Sequence, residues 1–525
     1  MVVEADGPCS RKRQSEEIEP LEAAKSARTA AEGDGQGSAG EDQNPPLPRA
    51  DGGKKDRISD LDDGVLGDII SLLPTKEGAR AQLLASRWRN IWRSAPLNLD
   101  HRGLCGDQGD LDAVVSHILS AHPGPGRRFC ALVHHLYGDR ATTADTWFGS
   151  AALDKLQELE LCSFAHELAL PPELPKPLPA AAFRFRATLC VAVIVRCQLP
   201  DITAQPLHFP KLKKLALERV SVSESSLHAM IAGCPALECL LIGESSGFSC
   251  LRINSVSLRS IGCQGYYRNP GIQFRKLIID NAPCLERLLQ FGSNHIHHTS
   301  VISAPKLETL GYLSSEYGTR LTFDSTSTST VIQGLHVDNL ASELRTVKIL
   351  AINMHALSLN AVILLMGCFP CLEKLYVQST GPGKPNLWRY KHKGFITSSD
   401  IRLKTITWWY YRGITSHVNF VTFFLQNAKV LELMTLQVED RHYNDEFFAK
   451  QPEMLELDRK ASGDCEDLLC AHRRYSCLMS YYFRRKLIKM TSSILNVLRD
   501  VLTTGEMWIC RWRHLGSKEL FLFPA

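Results

Sequence analysis

Three short segments of this 525-residue sequence contain residue types that could do chemistry. The first, GESSG at 243–247, fits the Gly-x-Ser-x-Gly pattern, in which a sharp turn between a strand and a helix exposes a nucleophilic serine. The serine would be Ser245, but the flanking LECLLI and FSCLRI are both typical of strands, so a loop between repeats is the simpler interpretation. A serine hydrolase that uses Ser245 is kept as the enzymatic alternative.

The other two segments contain residues that ligate metals. CFPC at 368–371 is a single Cys-x-x-Cys pair, without a second pair at the spacing of a zinc site. HIHH at 295–298 lies in a polar connector, where solvated side chains are the simpler interpretation. The sequence also contains no phosphate-binding Gly-Lys-Ser/Thr loop, no His-Glu-x-x-His motif and no dinucleotide fingerprint. We therefore predict no catalytic residue, no metal site and no cofactor.

Two tryptophans near the start of the chain point to binding instead. Trp88 and Trp92 are four residues apart, as on one face of a helix, and they either close a small local core or anchor another protein. The helices that position them are predicted within residues 56–100, where apolar residues recur at helical spacing, with Asp62, Thr75 and Ser86 as candidate N-caps and Pro74 and Pro96 as helix ends. Three helices of this size bury little surface, so their apolar side chains require a partner, either the rest of the chain or another protein.

A second aromatic cluster, WWYY at 408–411, lies in the predicted strand LKTITWWYY. Alternate side chains of a strand face opposite sides of the sheet. Leu403, Ile406 and Trp408 occupy the positions whose side chains the repeat pattern predicts to be buried. This arrangement leaves Trp409 on the opposite face, as the first candidate for contact with a protein target. Further target-binding candidates are Thr407, Tyr376 and Lys374. Packing under the helical segment VNFVTFFLQNAKVL is the competing interpretation for Trp409.

A recurring leucine pattern predicts the architecture between these clusters. Five copies of Pro-x-Leu-(Glu/Lys)-x-Leu begin at positions 210, 235, 283, 305 and 370. Looser Leu-x-x-Leu-x-Leu copies begin at Leu156, Leu189, Leu258, Ile332, Leu344, Leu403 and Val430. Ile332 and Leu344 are too close for both to begin full repeats. The spacing is that of leucine-rich repeats, so we predict a solenoid with one curved parallel sheet and with helices or loops outside.

Composition and charge exclude several classes of protein. The seventeen cysteines are scattered singly, which is typical of reduced, buried thiols rather than of a secreted disulfide scaffold. The net charge is +4, and residues 471–525, with ten basic and three acidic residues, account for the positive excess. The rest of the chain is nearly neutral, so it gives no electrostatic argument for nucleic-acid binding. The longest apolar stretch is too short and too broken to span a bilayer, and the start has no secretory signal. We expect a soluble, intracellular protein that binds no membrane.

The two ends of the chain carry no predicted site. Residues 1–55 contain no aromatic residue and are rich in Ala, Gly, Glu and Pro, which predicts a disordered tail. The basic cluster Arg11-Lys12-Arg13 within it fits either a nuclear import signal or a solvated tail. Residues 471–525 form a basic extension to which we assign neither structure nor role.

Three stretches of the chain resemble one plant protein family. DRISDLDDGVLGDIISLLPTKEGARAQLLASRWRNIWRSAPLNLD resembles a plant-type F-box in its opening Arg-Ile-Ser, its central Leu-Leu-Pro-Thr-Lys and its closing Arg-Trp-Arg. Residues 403–436 resemble the module called FBD, and DRKASGDCEDLL at 458–469 resembles the end of that module. With the repeats between them, the resemblance to F-box/leucine-rich-repeat/FBD proteins covers about 56–470. The sequence departs from this family at Asp62, where the F-box usually has proline.

The resemblance implies an α/β fold with a three-helix F-box (56–100), a leucine-rich-repeat solenoid (101–400) and an FBD-like module (401–470). The disordered tail (1–55) precedes them, and the basic extension (471–525), which matches nothing in this family and is a second departure from it, follows. The resemblance also implies that the F-box binds a Skp-family adaptor. The residues expected at that contact are Leu61, Leu66, Ile69, Leu73, Pro74, Leu83, Trp88 and Trp92.

The function implied by the resemblance is non-catalytic. Such proteins are substrate receptors of Skp–cullin–F-box ubiquitin ligases, in which the adaptor connects the F-box to cullin and RING subunits and the repeats hold a target protein. We expect this role, with a nuclear or cytoplasmic location. The alternative is a repeat scaffold that binds partners without recruiting a ligase, which the departure at Asp62 would favour.

Overall fold

The structure is a computed structural model. It describes residues 58, 60–73, 75–101, 104, 108–123, 125–133, 141–162, 175–201, 207–265, 272–290, 296–314, 319–323, 329–332, 335–338, 344–354, 358–379, 381, 401–439, 444–463, 465–472 and 509–511. The chain divides into two compact units at Asp60/Leu61, and every element described below belongs to the second unit.

The described part contains nine α-helices. They are α1 (Asp63–Leu72), α2 (Thr75–Ala81), α3 (Ser86–Ser94), α4 (Gln108–Ala121), α5 (Ala141–Gly149), α6 (Glu224–Ala232), α7 (Leu359–Cys368), α8 (Thr415–Asn427) and α9 (Asp445–Met454). Short 3-10 segments lie at Ala151–Leu153, Ala180–Ala187, Leu344–Thr346 and Leu457–Arg459. Among the residues that the structure describes, no helix has the length and apolar character needed to cross a membrane.

Twenty-three strands lie in the described ranges. They are β1 (Leu97–Asp100), β2 (Gly126–Leu132), β3 (Glu158–Cys162), β4 (Lys176–Pro177), β5 (Val191–Val195), β6 (Cys197–Gln198), β7 (Lys214–Glu218), β8 (Cys239–Gly243), β9 (Cys250–Asn254), β10 (Ser260–Gln264), β11 (Lys276–Asn281), β12 (Arg287–Gln290), β13 (His298–Val301), β14 (Thr309–Ser314), β15 (Arg320–Phe323), β16 (Ser329–Ile332), β17 (Leu335–Asp338), β18 (Ile349–Asn353), β19 (Lys374–Gln378), β20 (Thr405–Tyr411), β21 (Leu433–Glu439), β22 (Glu466–His472) and β23 (Ile509–Arg511).

Fifteen of these strands form one main sheet, in the order β1-β2-β3-β5-β7-β8-β10-β12-β14-β18-β19-β20-β21-β22-β23. All neighbours in it are parallel except β22 and β23, which are antiparallel. In β7 the pattern is typical, because Leu215 and Leu217 are buried in the main core while Lys214 lies on the opposite face. The main core extends in this way from Leu97 to Cys465, so the predicted parallel sheet of leucine-rich repeats is confirmed.

The layer outside the main sheet differs from the prediction of helices or loops alone. Helices α6, α7 and α8 cover parts of the core, but between residues 250 and 338 a second sheet does so, in the order β16-β17-β15-β13-β11-β9. Leu251 and Ile253 of β9 enter the same core as Ile261 of β10, so the two sheets form two layers of one core. The prediction missed this sheet because the repeat pattern assigns only one strand to each repeat.

Three predicted repeat starts were wrong: two lie at a residue other than the buried one that begins the repeat, and one begins no repeat. Strand β18 follows Val347 rather than Leu344, and β21 follows Leu431 rather than Val430, because Val347 and Leu431 are the side chains that the core buries. Ile332 begins no repeat, since it ends β16 in the second sheet, where β16 pairs antiparallel with β17. The remaining starts agree with the strands observed.

Helices α1, α2 and α3 form a small core of their own. It consists of Leu66, Ile70, Ala81, Ile91 and Ala95, with the half-buried Trp88 and Trp92 packed against it. Asp62 caps α1 as predicted. Thr75 and Ser86 do not act as caps, because each is the first residue of its helix: the Thr75 hydroxyl contacts the carbonyl of Asn98 and accepts from the N–H of Asp100, and α3 has no side-chain cap.

Candidate functional site

The first candidate site is an apolar surface on the N-terminal helices. Helix α1 turns Leu66 and Ile70 into the small core and leaves Val65, Ile69 and Leu72 exposed on a stripe with helical spacing. Leu83 and Leu84, in the turn after α2, are also exposed, with fractions of 85% and 72%. We call these five side chains the apolar stripe. A group of exposed large apolar residues on so short a segment is typical of a protein-binding surface.

Side-chain contacts hold α1 and α3 together behind the apolar stripe. Arg87 of α3 donates from Nε to the carboxylate of Asp63, at 2.6 Å, and from Nη2 to the carbonyl oxygen of Leu61, at 2.5 Å. The ring of Trp92 makes an edge contact with His122, at 5.1 Å between centroids. A Cβ atom at Gly78 would lie 2.9 Å from the Trp92 indole nitrogen, so only glycine leaves room for this ring. Trp92 therefore packs between Gly78 of α2 and His122, which follows α4.

Asp62 occupies the position where the resembling family has proline. Its φ angle is −63°, the value that a proline ring imposes, and its carboxylate accepts from the N–H of Gly64 at 2.9 Å. The backbone at Asp62 therefore has a φ that suits proline, and the aspartate caps the helix as well.

The residues predicted for adaptor binding are distributed over both sides of this segment. Ile69 and Leu83 belong to the apolar stripe and Leu61 is exposed, whereas Leu66 is buried, and Leu73, Trp88 and Trp92 are half-buried. Pro74 lies outside the described residues. The prediction omitted Val65, Leu72 and Leu84, although the spacing of Val65, Ile69 and Leu72 along α1 could have identified the first two. Adaptor binding by these residues stays a prediction.

The second candidate site is an aromatic layer on the face of the main sheet opposite the core. It consists of Tyr312, Tyr376 and Trp409, from β14, β19 and β20. The Trp409 ring stacks on Tyr312 at 5.9 Å and on Tyr376 at 6.2 Å between centroids. Ala351 and Gly311 leave room for the layer, since a Cβ at Gly311 would lie 2.9 Å from that of Ala351. Trp408 lies in the main core under α8, so the two adjacent tryptophans face opposite sides, as predicted.

Most of the predicted target-binding side chains contribute little surface. Trp409 is 4% exposed, Tyr376 and Thr407 are also buried, and Lys374 is half-buried. Burial raises the pKa of Tyr376 to about 12, so its hydroxyl is neutral and can donate. Among the described residues, the buried indole N–H of Trp409 has no hydrogen-bond acceptor. Binding of a target at this layer stays a prediction.

The third candidate site is a cluster of three buried side chains on the same face of the sheet, at the start of the repeats. His101 follows β1, Cys130 lies in β2 and Cys162 ends β3, and the three offer ligand atoms that all lie within 4.8 Å of one another. The two Sγ atoms are 3.6 Å apart, and Cys162 Sγ lies 3.7 Å from His101 Nε2. Sequence analysis missed this cluster, because its members are 29 and 32 residues apart along the chain and match no metal motif.

The electrostatics of this cluster favour one thiolate. The hydrogen bond from Cys130, with help from His101, lowers the pKa of Cys162 to about 6, whereas burial raises that of Cys130. Burial lowers the pKa of His101, but its hydrogen bond and attraction to Cys162 outweigh this, so the net shift is upward. The Arg128 guanidinium lies on the same face and pairs with Glu160 at 2.5 Å.

Within the described residues, the three motifs considered first do not bring chemical groups together. Ser245 is buried, and its hydroxyl donates towards the carbonyls of Gly243 and Leu217 and accepts from the N–H of Val220, which is the geometry of a loop rather than of an exposed nucleophile. In CFPC, burial raises the pKa of Cys368 to about 11. In HIHH, His298 lies in β13 with Nε2 at 3.2 Å from the Thr322 hydroxyl, and position 295 lies outside the described residues.

Protein-family models match two parts of the chain: the repeats, and the region that contains β20, the strand of Trp409. Residues 144–377 match a model described as "FBD-associated F-box protein At5g56370, LRR repeats", and residues 400–436 match the FBD model. The predicted FBD-like stretch at 403–436 is therefore confirmed.

Comparison with individual proteins gives relatives from Arabidopsis thaliana. The F-box/FBD/LRR-repeat protein At3g52680 is 31% identical over 245 residues, which is 45% of this chain and 50% of that protein. The F-box/FBD/LRR-repeat protein At4g00160 is 30% identical over 247 residues, 45% of this chain and 51% of that protein. The F-box/LRR-repeat protein At3g26922 is 25% identical over 263 residues, 50% of this chain and 83% of that protein. Apart from the last, the chain spans about half the length of these relatives.

Proposed function

We propose, from the premise that this chain belongs to the plant F-box/FBD/LRR-repeat proteins, that it is the substrate receptor of a Skp–cullin–F-box ubiquitin ligase. The segment of α1, α2 and α3 binds a Skp-family adaptor, and through it cullin and RING subunits. The repeats and the FBD hold a protein target. Neither a nucleic acid nor a membrane is a partner, and the protein works in the nucleus or the cytoplasm.

The observation that supports this proposal best is the apolar stripe. Its five side chains remain exposed although the segment has a small core of its own. Transferring them from water to a protein interface would stabilise a complex by about 25 cal/mol for each Å² of apolar surface buried. A partner that covers Ile69, Leu72 and Leu83 with apolar residues of its own would therefore gain affinity, and we assign this role to the adaptor.

In this role the chain needs no catalytic group. Tethering the target beside a charged ubiquitin-conjugating enzyme replaces an improbable encounter of two molecules with a contact inside one complex. The aromatic layer of Tyr312, Tyr376 and Trp409, with Lys374 and Thr407 nearby, is the surface that we assign to the target. The half-buried Tyr312 and Lys374 are the side chains on this face that a target can reach.

A binding assay with a purified Skp adaptor tests the proposal. We expect the full chain to bind, and Ile69→Asp or the double variant Leu83→Ser/Leu84→Ser to weaken binding about tenfold or more, as for anchor residues of an interface. All three side chains are exposed, so these substitutions leave the small core intact. Ile272→Asp is the matched control, because Ile272 is an exposed isoleucine in the repeat region.

Two outcomes of this assay would contradict the proposal. A full chain that is folded but binds no adaptor would support the alternative, a repeat scaffold without a ligase. Equal loss of binding in Ile69→Asp and Ile272→Asp would show that the apolar stripe is not the contact surface. The serine hydrolase alternative predicts labelling of Ser245 by a fluorophosphonate probe, which we do not expect because this hydroxyl is buried.

A further inference from the structure

We infer that His101, Cys130 and Cys162 form a binding site for one Zn²⁺ ion, which joins the first three strands of the main sheet and has a fourth coordination position open to water or to an outside ligand. The inference is independent of the proposed ligase role. It rests on the identity of the three side chains, on the distances between their ligand atoms and on the orientation of the imidazole.

Two of the three separations between ligand atoms are close to those in a zinc site, and all three lie within 4.8 Å. With Zn–S bonds of about 2.3 Å, Zn–N bonds of about 2.0 Å and tetrahedral angles, two thiolates lie about 3.8 Å apart and a thiolate and an imidazole nitrogen about 3.5 Å apart. The observed separations are 3.6 Å between the Sγ atoms of Cys130 and Cys162 and 3.7 Å between Cys162 Sγ and His101 Nε2. An ion could therefore enter with little movement of the three strands.

The imidazole is oriented for ligation. His101 Nδ1 lies 3.1 Å from the carbonyl oxygen of Cys130, and because a carbonyl can only accept, Nδ1 carries the hydrogen. In the neutral ring Nε2 then carries the lone pair, 3.7 Å from the Sγ atom of Cys162. Zinc-bound histidines usually donate their second ring nitrogen to a carbonyl or a carboxylate in this way, which fixes both the tautomer and the ring plane.

A disulfide between the two cysteines does not fit this geometry. In the β2–β3 register, Cys130 faces Glu160 and Cys162 faces Leu132, so the two cysteines are offset by two residues along parallel strands. Their Cα atoms are then about 8 Å apart, given the usual strand spacing and rise. Disulfides rarely join Cα atoms more than about 7 Å apart. The pair is therefore better placed to share an ion than to form a bond.

Charge and burial favour a divalent ion of intermediate softness. All three side chains are buried, and Leu132 with the half-buried Leu111 packs beside the two thiols. When both thiols lose their protons to solvent, the two thiolates neutralise the two positive charges of Zn²⁺, so the occupied site carries no net charge into the sheet. Two thiolates and one imidazole are a ligand set that zinc prefers over Mg²⁺ or Ca²⁺.

Metal analysis of the full chain tests the inference. We expect the protein, purified without chelators from zinc-supplemented cells, to hold about one zinc per chain, and Cys130→Ser and Cys162→Ser to hold about a tenth of that or less. Cys239→Ser is the matched control, because Cys239 is a half-buried thiol on the same face of the sheet, in β8, and should leave the zinc content unchanged.

Cobalt substitution gives a second readout that does not depend on stoichiometry. Co²⁺ in the intact chain and in Cys239→Ser should produce the thiolate-to-cobalt absorption and the visible bands of a tetrahedral site. Both should disappear in Cys130→Ser/Cys162→Ser. The inference fails if the folded intact chain takes up neither ion, if the cobalt bands persist in the double variant, or if mass spectrometry finds a Cys130–Cys162 disulfide in freshly purified protein.

Discussion

At the scale of single residues, adjacent aromatic side chains of β20 lie on opposite faces of the main sheet. Trp408 is buried in the main core, where it contacts Phe420 edge-on at 4.6 Å, while Trp409 stacks on Tyr376 across the other face. Tyr410 has a φ of +64° and interrupts the pairing with β21, so that Tyr411 turns back into the core. Strand alternation therefore separates Trp408 from Trp409, and the left-handed Tyr410 returns Tyr411 to the core.

Protonation of His417, which packs beside Trp408 in the main core, makes the stability of the fold depend on pH. It is buried in α8, where its ring lies 4.7 Å from that of Trp408 and its Nδ1 accepts from the N–H of Arg412. Burial, together with the charge of Arg412, lowers the pKa of His417 to about 4 from 6.5. The unfolded chain therefore binds this proton first as the pH falls, which favours unfolding between about pH 6.5 and pH 4.

We expect this histidine to lower the free energy of unfolding by up to about 3 kcal/mol between pH 7 and pH 4. In His417→Asn the amide oxygen can replace Nδ1 as acceptor, but no proton is taken up, so this part of the pH dependence should be lost. Urea unfolding of both proteins at several pH values measures the difference. Parallel pH curves for the two proteins would contradict the assignment.

At the scale of elements, α1 has to serve two purposes. One face of this ten-residue helix closes the small core through Leu66 and Ile70, and the adjacent face carries Val65, Ile69 and Leu72 of the apolar stripe. A helix this short is marginal by itself, so its cap and its packing carry most of its stability. Asp62, at the start of the helix, is therefore a sensitive position for the adaptor surface.

We predict that Asp62→Ala weakens α1 by about 1 kcal/mol, because Gly64 loses its hydrogen-bond acceptor. Asp62→Pro should preserve the helix backbone and adaptor binding, since the φ of −63° already suits proline. Hydrogen exchange of the α1 amides, together with the adaptor assay, measures both effects. Asp68→Ala, at an exposed position within α1 that does not cap it, is the control, and equal effects of the two alanine variants would refute the capping role.

At the scale of the whole unit that begins at Leu61, the repeats and the FBD share one sheet. Strands β19, β20 and β21 are parallel neighbours in it, and the core that contains Leu375 continues into Trp408 and Leu436. The helices α1, α2 and α3 have a separate and much smaller core. Since each repeat is stabilised mainly by its neighbours, the sheet should unfold over long stretches, whereas the helices can open alone.

Hydrogen exchange at increasing denaturant should reveal this division. We expect amides of β8 and of β20 to exchange with similar opening free energies, and those of α1 and α3 to exchange with a clearly lower one, because less apolar surface holds them. Helices as strongly protected as the sheet would contradict the expectation. A large difference between β8 and β20 would show that the repeats and the FBD open independently.

The sequence by itself was sufficient for the features that depend on neighbouring residues. The leucine period predicted the strands that follow Leu212, Leu237 and Leu372, and alternation in LKTITWWYY separated Trp408 from Trp409, because a strand turns successive side chains to opposite faces. Helical spacing predicted α1, and the resemblance to F-box/FBD proteins predicted the order of the parts that the comparisons matched.

Only the tertiary structure decided the features that join distant residues. The second sheet, the phase of β18 and the aromatic layer depend on which strands stack, and no local pattern encodes that. The same holds for His101, Cys130 and Cys162, which come from three successive strands and meet because parallel pairing aligns them. A short motif describes the residues along one strand or one helix, whereas a site built across a sheet depends on register, which the whole core determines.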